Sequence, residues 1–266
     1  MATRDMSAWE TGIAQVVSTD SEEEVIVRGH KLSDLIGQTS FAEMMFLMLQ
    51  GRRPSAAQAR VLDALLVASM EHGIAPPSMI SRCFASYGTT IQAAVGAGIL
   101  AFGDRMGGLG EQLAQLLSDR LATRDGGAKA WSDGDLAAEA TTLVAEAQRS
   151  GTRVPGYGIP LHGADPRAPA VLAVARTEGV FGPHCRFAMA IEDALTKARG
   201  GRAVPLNVDG VSAAVALDLG FDWRATRMFL LTPRSVSMGA HYLEEQAQDT
   251  TWRHIPAASI VYDDEN

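Results

Sequence analysis

Apolar residues three and four positions apart constrain the fold of this chain more than any other feature of its sequence. Ala, Leu and Met recur at this spacing through most of the 266 residues, as the buried face of a helix requires. Segments in which apolar and polar residues alternate, as they do in strands, are scarce. The sequence therefore predicts an all-α fold.

Residues that cap helices predict where the first helices begin and end. Ser40 can cap a helix in which Glu43 closes a capping box, and Gly51 follows as its stop. A second helix is predicted from Ser55 to Met70 by its apolar face. A third is predicted from 80 to 101, and its many Gly and Ala residues favour close packing against other helices on several sides.

Glycine-rich loops separate the remaining helices. One loop, at 103–110, reads GDRMGGLG, and a loop rich in Pro and Gly runs from Arg153 to Arg167. We place a domain edge near Gly110. Apolar spacing predicts further helices at 111–122, 136–149, 168–178, 182–199, 208–219, 222–232 and 234–247.

The charge balance excludes one class of partner. The chain carries 23 Lys and Arg against 31 Asp and Glu, a formal net charge of −8. Duplex nucleic acid demands a broad basic surface, which this composition does not provide. Nucleic acid is therefore not expected as a partner.

Cysteine usage and hydropathy indicate the compartment. Cys83 and Cys185 lie far apart, with no C-x-x-C pair or second ligand cluster, and we expect free thiols and no metal site. No stretch reaches the ~18 uninterrupted apolar residues of a membrane span, and the N-terminus lacks the apolar core of a signal peptide. We therefore expect a cytoplasmic protein without a membrane partner.

Three kinds of position carry reactive residues whose role the sequence leaves open. Asp209 stands at the start of an apolar helix, either as its N-cap or as a catalytic acid or base. Arg234 stands at the predicted start of the last helix, which disfavours a cation unless an anion lies nearby. His72, His162 and His241 are each either hydrogen-bonded packing residues or catalysts, and spacing alone does not join them.

Six ordered landmarks along nearly the whole chain resemble the citrate synthase superfamily. The resemblance is strongest to its citryl-CoA lyase branch, which includes the C-terminal module of ATP-citrate lyase. In chain order the landmarks are VRGHKLSDLIGQTSFAEMMFLMLQGRRP, EHGIAPPS, FGDRMGGLG, VPGYG with ADPR, PLNVDG, and TPRSVSMGAHYLEEQ before WRHIP.

This resemblance implies two helical domains with the active site in the cleft between them. Placed on this chain, the large domain comprises residues 1–110 and 221–266, and the small domain comprises residues 111–220. Closure of the domains would exclude water from the substrate. The resemblance also implies a homodimer, or a higher homo-oligomer, as the working unit.

The resemblance assigns roles to individual residues. Asp209 matches an Asp that exchanges a proton with the α-carbon of a thioester. His72 matches a His that hydrogen-bonds the keto or hydroxyl oxygen. Substrate carboxylates would be held by arginines, whose planar fork suits that task. These are Arg167 of the DPR motif, Arg234, Arg105 and Arg253, the last with a looser match and a reach that extends into the neighbouring subunit's site.

Coenzyme A is expected as part of the substrate, and no covalently bound cofactor or metal is expected. The resemblance implies that the thioester arm is held by the backbone of the loop Val154, Pro155, Gly156, Tyr157 and Gly158. The 3′-phosphate would be bound by Lys197, Arg199 and Arg202. The alternative for these three is a solvated cationic helix end.

Two departures from the family pattern bear on activity. Met106 stands where citrate synthases carry the His that enolises acetyl-CoA, and the lyase branch has a similar loop with an apolar residue, which favours cleavage over synthesis. Ile159 replaces the His of the G-Y/F-G-H motif. His162 lies three residues on, and we expect either that it takes over the lost function or that it faces solvent.

The resemblance therefore predicts a carbon–carbon lyase. It would cleave citryl-CoA, or a related 3-hydroxy-3-carboxyacyl-CoA, to acetyl-CoA (or an acyl-CoA) and a 2-oxoacid such as oxaloacetate. The alternative is a protein that binds CoA thioesters with little or no catalysis, as the replacement of both family histidines suggests.

Overall fold

Helices dominate the computed structural model, which describes residues 9–158, 165–248 and 251–262. The mainly helical fold predicted from the sequence is confirmed. The helices are α1 (Leu32–Leu35), α2 (Phe41–Gln50), α3 (Ala56–Met70), α4 (Pro76–Ser86), α5 (Ile91–Leu100), α6 (Leu109–Leu121), α7 (Asp133–Ser150), α8 (Arg167–Thr177), α9 (Pro183–Ala198), α10 (Val208–Asp218) and α11 (Met228–Ala247). Short 3₁₀ turns lie at Gly127–Ala130, Trp223–Ala225 and Ala257–Ser259.

A small antiparallel sheet near the N-terminus was not predicted. Its strands β1 (Ala14–Ser18), β2 (Glu23–Val27) and β3 (His30–Lys31) follow one another in order, and Val16 pairs with Val25. Almost all of β1 is exposed on both faces. A strand without a buried face has no alternating pattern, and the sequence therefore gave no signal for it.

The predicted caps of the first helices are confirmed. The Ser40 side chain accepts a hydrogen bond from the Glu43 amide, the Glu43 carboxylate accepts one from the Ser40 amide, and Gly51 ends α2 with φ of 73°. Ser55 caps α3 in the same way with Gln58. These ends follow from local chemistry, which is why sequence reasoning located them.

The single helix predicted from 80 to 101 is wrong. The chain forms α4 and α5 instead, separated by a turn in which Gly88 has φ of 77°. In α5, only Ala94 and Gly98 are buried, so this helix is not enclosed on several sides in the described chain. The close packing expected of its glycines occurs at Gly98, where an added Cβ would lie 2.7 Å from the Met238 sulfur.

The two helices predicted at 222–232 and 234–247 are also corrected. Helix α11 runs unbroken from Met228 to Ala247 with Pro233 inside it, and only a 3₁₀ turn precedes it. Proline has no amide to donate to the preceding turn, so one helical hydrogen bond is missing at Pro233, and the helix nevertheless continues through it. Arg234 therefore lies in the second turn of α11 and not at its start.

One hydrophobic core joins most of the helices. Buried side chains from α2, α3 and α6–α10 form a continuous cluster that includes Phe46, Leu113, Phe187 and Val211. Helix α11 packs against α3, α4 and α5. The boundaries predicted for two domains stay a prediction. None of the described helices is both long and apolar enough to cross a bilayer.

Candidate active site

A cavity of about 290 Å³ gathers six of the predicted site residues from distant parts of the sequence. It lies where the end of α3, the glycine loop before α6, the start of α8, the start of α10 and one face of α11 meet. Of the predicted site residues, those that line it are His72, Arg105, Gly158, Arg167, Asp209 and Arg234.

Asp209 reaches this cavity because another residue caps its helix. Asn207 is the N-cap of α10, and its side-chain oxygen accepts a hydrogen bond of 3.1 Å from the Gly210 amide. Asp209 follows in the first turn, and the N-cap alternative for it is wrong. Burial raises the pKa of the Asp209 carboxyl above its ordinary value, and the charges of Arg167 and Arg234 oppose this rise only in part.

Arg167 is held in place by the buried carboxylate of Asp165. The Arg167 Nε and Nη2 donate to the two Asp165 oxygens over 2.8 and 2.7 Å, and the Arg167 amide donates to the same carboxylate over 3.0 Å. Burial would raise the pKa of Asp165, but these hydrogen bonds outweigh it and lower the pKa. The Arg167 Nη1 is buried without a hydrogen-bond partner among the described residues.

Arg234 brings a second buried guanidinium to the cavity. Its Nε has no hydrogen-bond partner among the described residues, and its Nη1 lies 4.0 Å from an oxygen of Glu71. Burial and the neighbouring charge of Arg167 lower the pKa of Arg234, whereas Glu71 and Asp209 raise it. Buried N–H groups that lack an acceptor are costly, and a carboxylate is an acceptor that two such arginines can bind together.

The rest of the cavity wall is largely apolar. His72 contributes a half-buried imidazole from the turn after α3. Phe102, Met106, Leu109 and Leu230 line the cavity beside the glycine loop. The cavity therefore combines cationic and acidic groups with an apolar surface suited to a thioester chain.

The predicted CoA loop packs on the start of α10. The Asn207 amide donates to the Gly156 carbonyl over 3.0 Å, and the Gly158 amide donates to the Pro205 carbonyl over 2.8 Å. The Tyr157 hydroxyl donates to the Ala188 carbonyl over 2.8 Å. Several hydrogen-bonding groups of this loop are therefore already paired with other residues of the chain.

Other members of the CoA prediction lie elsewhere. Val154 and Pro155 line a separate cavity of about 320 Å³ beside α6 and α7, together with Arg120 and Arg153. The basic residues Lys197, Arg199 and Arg202 are exposed at and after the end of α9 and do not line the candidate active site.

Arg253 does not line the cavity of its own chain. Its Nε and Nη2 donate to the buried carboxylate of Glu245 over 2.7 and 2.9 Å. Its role at the site of a neighbouring subunit stays a prediction. His162 and Ile159 lie outside the described residues, and the prediction for His162 stays a prediction as well.

Neither a metal cluster nor a disulfide is present in the described part of the chain. No three His, Cys, Asp or Glu side chains among residues 9–158, 165–248 and 251–262 are arranged to hold a metal ion. Cys185 is buried and Cys83 half-buried, both as free thiols.

Sequence reasoning missed Asp165 and Glu71 as site residues. Asp165 lies two residues before Arg167 in the motif DPR, and Glu71 lies directly before His72 in the motif EHG. A guanidinium that must keep one orientation needs a carboxylate partner close by. This requirement, applied to Arg167, is the signal that could have identified Asp165.

Comparison with known proteins agrees with this geometry. The model of the family "Citrate synthase, C-terminal domain" matches residues 38–255. The chain belongs to the citrate synthase family. Among solved structures, citryl-CoA lyase from Hydrogenobacter thermophilus superposes with a TM-score of 0.83 at 32% identity, over 96% of this chain and 94% of that one. No match was found among curated protein sequences.

Two further structures share the fold of this family member at lower identity. ATP citrate lyase from Methanothrix soehngenii, in complex with citrate and coenzyme A, gives a TM-score of 0.79 at 21% identity, over 98% of this chain and 42% of that one. Citrate synthase from Thermotoga maritima gives a TM-score of 0.66 at 20% identity, over 86% of this chain and 60% of that one.

Proposed function

We propose that this citrate synthase family member cleaves citryl-CoA, or a related 3-hydroxy-3-carboxyacyl-CoA, to acetyl-CoA and a 2-oxoacid such as oxaloacetate. The observation that carries the proposal is the cavity that Asp209 shares with Arg167 and Arg234. Each of the two arginines has a buried N–H without a partner among the described residues. The match to a citryl-CoA lyase over nearly the full length of both chains supports it.

The two arginines would bind the carboxylates of the citryl group. Arg167 has two of its donors committed to Asp165, which leaves Nη1 for substrate. Arg234 approaches from α11, and no other described residue accepts a hydrogen bond from its Nε. Because the two cations repel each other and are poorly hydrated, a dianionic substrate would relieve an unfavourable charge arrangement.

The reaction is a retro-Claisen cleavage. A base removes the proton of the tertiary hydroxyl, and the electrons of that O–H bond form the ketone of the 2-oxoacid. The carbon–carbon bond breaks, and its electron pair passes to the thioester as an enolate. Asp209, as an acid, then protonates the enolate carbon and yields acetyl-CoA. We assign the removal of the hydroxyl proton to His72, which lines the cavity.

A raised pKa suits Asp209 to this role. A carboxyl that keeps its proton can deliver it to carbon, whereas one fully ionised at neutral pH cannot. Burial is the first cause of the rise, and the substrate would deepen that burial when it fills the cavity.

Coenzyme A would enter as part of the substrate. Apolar Phe102, Met106 and Leu109 form a surface for the thioester arm next to Asp209. The loop from Val154 to Gly158 is the proposed path of the remaining arm, with Lys197, Arg199 and Arg202 as candidates for the 3′-phosphate. We also propose a homodimer as the working unit.

The product of citryl-CoA turnover in deuterium oxide tests the proposal. Cleavage by this mechanism yields oxaloacetate and acetyl-CoA whose methyl group carries one solvent deuterium, which mass spectrometry detects. Hydrolysis of the thioester would instead give citrate and free CoA without deuterium on carbon. Tight binding of CoA without either product would favour the alternative, a binding protein, which the replacement of both family histidines by Met106 and Ile159 suggests.

A further inference from the structure

Glu71 joins the turn that carries His72 to the rest of the site. It follows the last residue of α3 with extended backbone, at φ of −141°. One of its carboxylate oxygens, Oε1, accepts hydrogen bonds from the backbone amides of His72 over 2.7 Å and Gly73 over 2.6 Å. These bonds fix the turn that presents His72 to the cavity.

The same carboxylate contacts the helix that carries Arg234. Its Oε2 accepts a hydrogen bond from the Ser237 hydroxyl and lies 3.3 Å from the His241 Nε2. Its Oε1 lies 4.0 Å from the Arg234 Nη1. Arg234, Ser237 and His241 are three and four residues apart, which places them on one face of α11.

Glu71 also supplies negative charge where the site is cationic. Partial burial would raise the pKa of Glu71, but the hydrogen bonds from Ser237, His72 and Gly73 outweigh it and lower the pKa. The carboxylate is therefore ionised at neutral pH. Its charge opposes the lowering of the Arg234 pKa that burial and the charge of Arg167 cause.

We propose that Glu71 is a positioning residue that sets the distance between His72 and Arg234, and thereby the affinity for the carboxylate-bearing half of the substrate. It does not line the cavity, and it acts through the two residues that do. The CoA half of the substrate does not depend on it. This inference rests on the proposed function, since it presumes that Arg234 binds a substrate carboxylate.

Two substitutions test the positioning role of Glu71. The affinities for oxaloacetate and for CoA are measured separately by titration calorimetry. Glu71→Ala removes every contact of the carboxylate, and we expect it to weaken oxaloacetate binding by about tenfold or more, because small displacements of binding groups have large effects. Glu71→Gln keeps an acceptor for the two amides but no charge, and about a threefold loss is expected. Affinity for CoA should stay within about twofold of the wild type in both.

Glu178→Ala is the matched control. Glu178 forms an ion pair with Arg60 in the first half of α3, whereas Glu71 follows the end of the same helix. Glu178 does not line the cavity. Its removal should leave both affinities unchanged. The KM for citryl-CoA should follow the oxaloacetate affinity in each Glu71 variant.

The outcomes separate the inference from the function on which it rests. A folded Glu71→Ala protein with wild-type oxaloacetate affinity, or with an equal loss of CoA affinity, would overturn the positioning role alone. If Glu71→Ala does not fold, Glu71→Gln decides in the same way. A wild type that neither binds oxaloacetate nor cleaves citryl-CoA would overturn the proposed function and this inference together.

Discussion

Individual residues of the cavity are held in states that water would not favour. Asp209 tends to keep a proton that an exposed carboxyl would lose, and Arg167 and Arg234 each bury an N–H without an acceptor among the described residues. Such arrangements reduce stability and are retained where a ligand completes them. At these three residues, therefore, a substitution can raise the stability of the protein and at the same time remove its activity.

Asp209→Asn is expected to stabilise the protein at alkaline pH. Burial raises the pKa of Asp209 in the folded state above its ordinary value of 3.8. The stability that the protonated carboxyl contributes is therefore fully present below the ordinary value and is lost as pH rises through the folded pKa. Asparagine never ionises and avoids this loss.

The melting temperature of Asp209→Asn should accordingly exceed that of the wild type near pH 8 and converge on it near pH 4, as calorimetry can measure. A variant that melts below the wild type near pH 8 would show that the ionised carboxylate stabilises the two arginines more than burial penalises it.

Arg167→Lys is expected to weaken substrate binding more than turnover. A lysine cannot keep both hydrogen bonds to Asp165 and still present a donor to substrate, because it lacks the guanidinium fork. Steady-state kinetics should show a KM for citryl-CoA raised by about tenfold, with kcat changed far less. Arg176→Lys, on the exposed side of the same helix, is the control and should behave as the wild type. An unchanged KM in Arg167→Lys would show that Arg167 does not bind a substrate carboxylate.

At the scale of elements, the site depends on how closely α10 approaches the loop before α8. A Cβ added at Gly210 would lie 2.3 Å from the Gly156 carbonyl oxygen and 2.4 Å from a Leu206 methyl carbon. The contact is possible because neither Gly210 nor Gly156 carries a Cβ, and it places Asp209 beside the proposed CoA loop.

Gly210→Ala should therefore destabilise the protein by roughly 1–3 kcal/mol, as overpacking of a close contact does. Chemical denaturation measures the change, and citryl-CoA cleavage should fall with it. Gly134→Ala is the matched control, because Gly134 is exposed in the first turn of α7 and the nearest atom to its added Cβ is 3.8 Å away. Equal stability of Gly210→Ala and the wild type would contradict the tight packing of α10.

Elements whose ends depend on local chemistry could be predicted, and those set by tertiary contacts could not. Ser40 and Ser55 begin helices by bonds within four residues, which a sequence displays directly. The break between α4 and α5, and the continuation of α11 through Pro233, depend on packing that no local pattern records. The placement of Arg234 inside α11 was missed for the same reason, although its convergence on the cavity followed from the resemblance.

On the scale of the whole molecule, the active site exists only because the chain folds back on itself. His72 lies in the first third of the sequence, whereas Asp209 and Arg234 lie in its last quarter. Helices α3, α10 and α11 bring them together. Sequence reasoning grouped them through ordered landmarks and not through spacing. The supporting carboxylates Asp165 and Glu71 required the structure.

We expect the proposed homodimer to be detectable by sedimentation. Helix α5 and the turn before it expose Tyr87, Ile91 and Leu100, the last at 85% of its accessible surface. Apolar surface of this kind favours association. Equilibrium sedimentation is expected to give twice the chain mass of 28.2 kDa, and a single-chain mass at micromolar concentration would contradict the expectation.

Cleavage of citryl-CoA by the wild type and by Asp209→Asn shows whether Asp209 is the acid of a citryl-CoA lyase. An amide cannot deliver a proton to the enolate carbon, and loss of a general acid typically lowers the rate by about 10²–10⁴. We expect the wild type to release oxaloacetate and acetyl-CoA. Asp209→Asn should bind CoA as well as the wild type but cleave citryl-CoA at least about a hundredfold more slowly. Near wild-type cleavage by Asp209→Asn would contradict this role of Asp209.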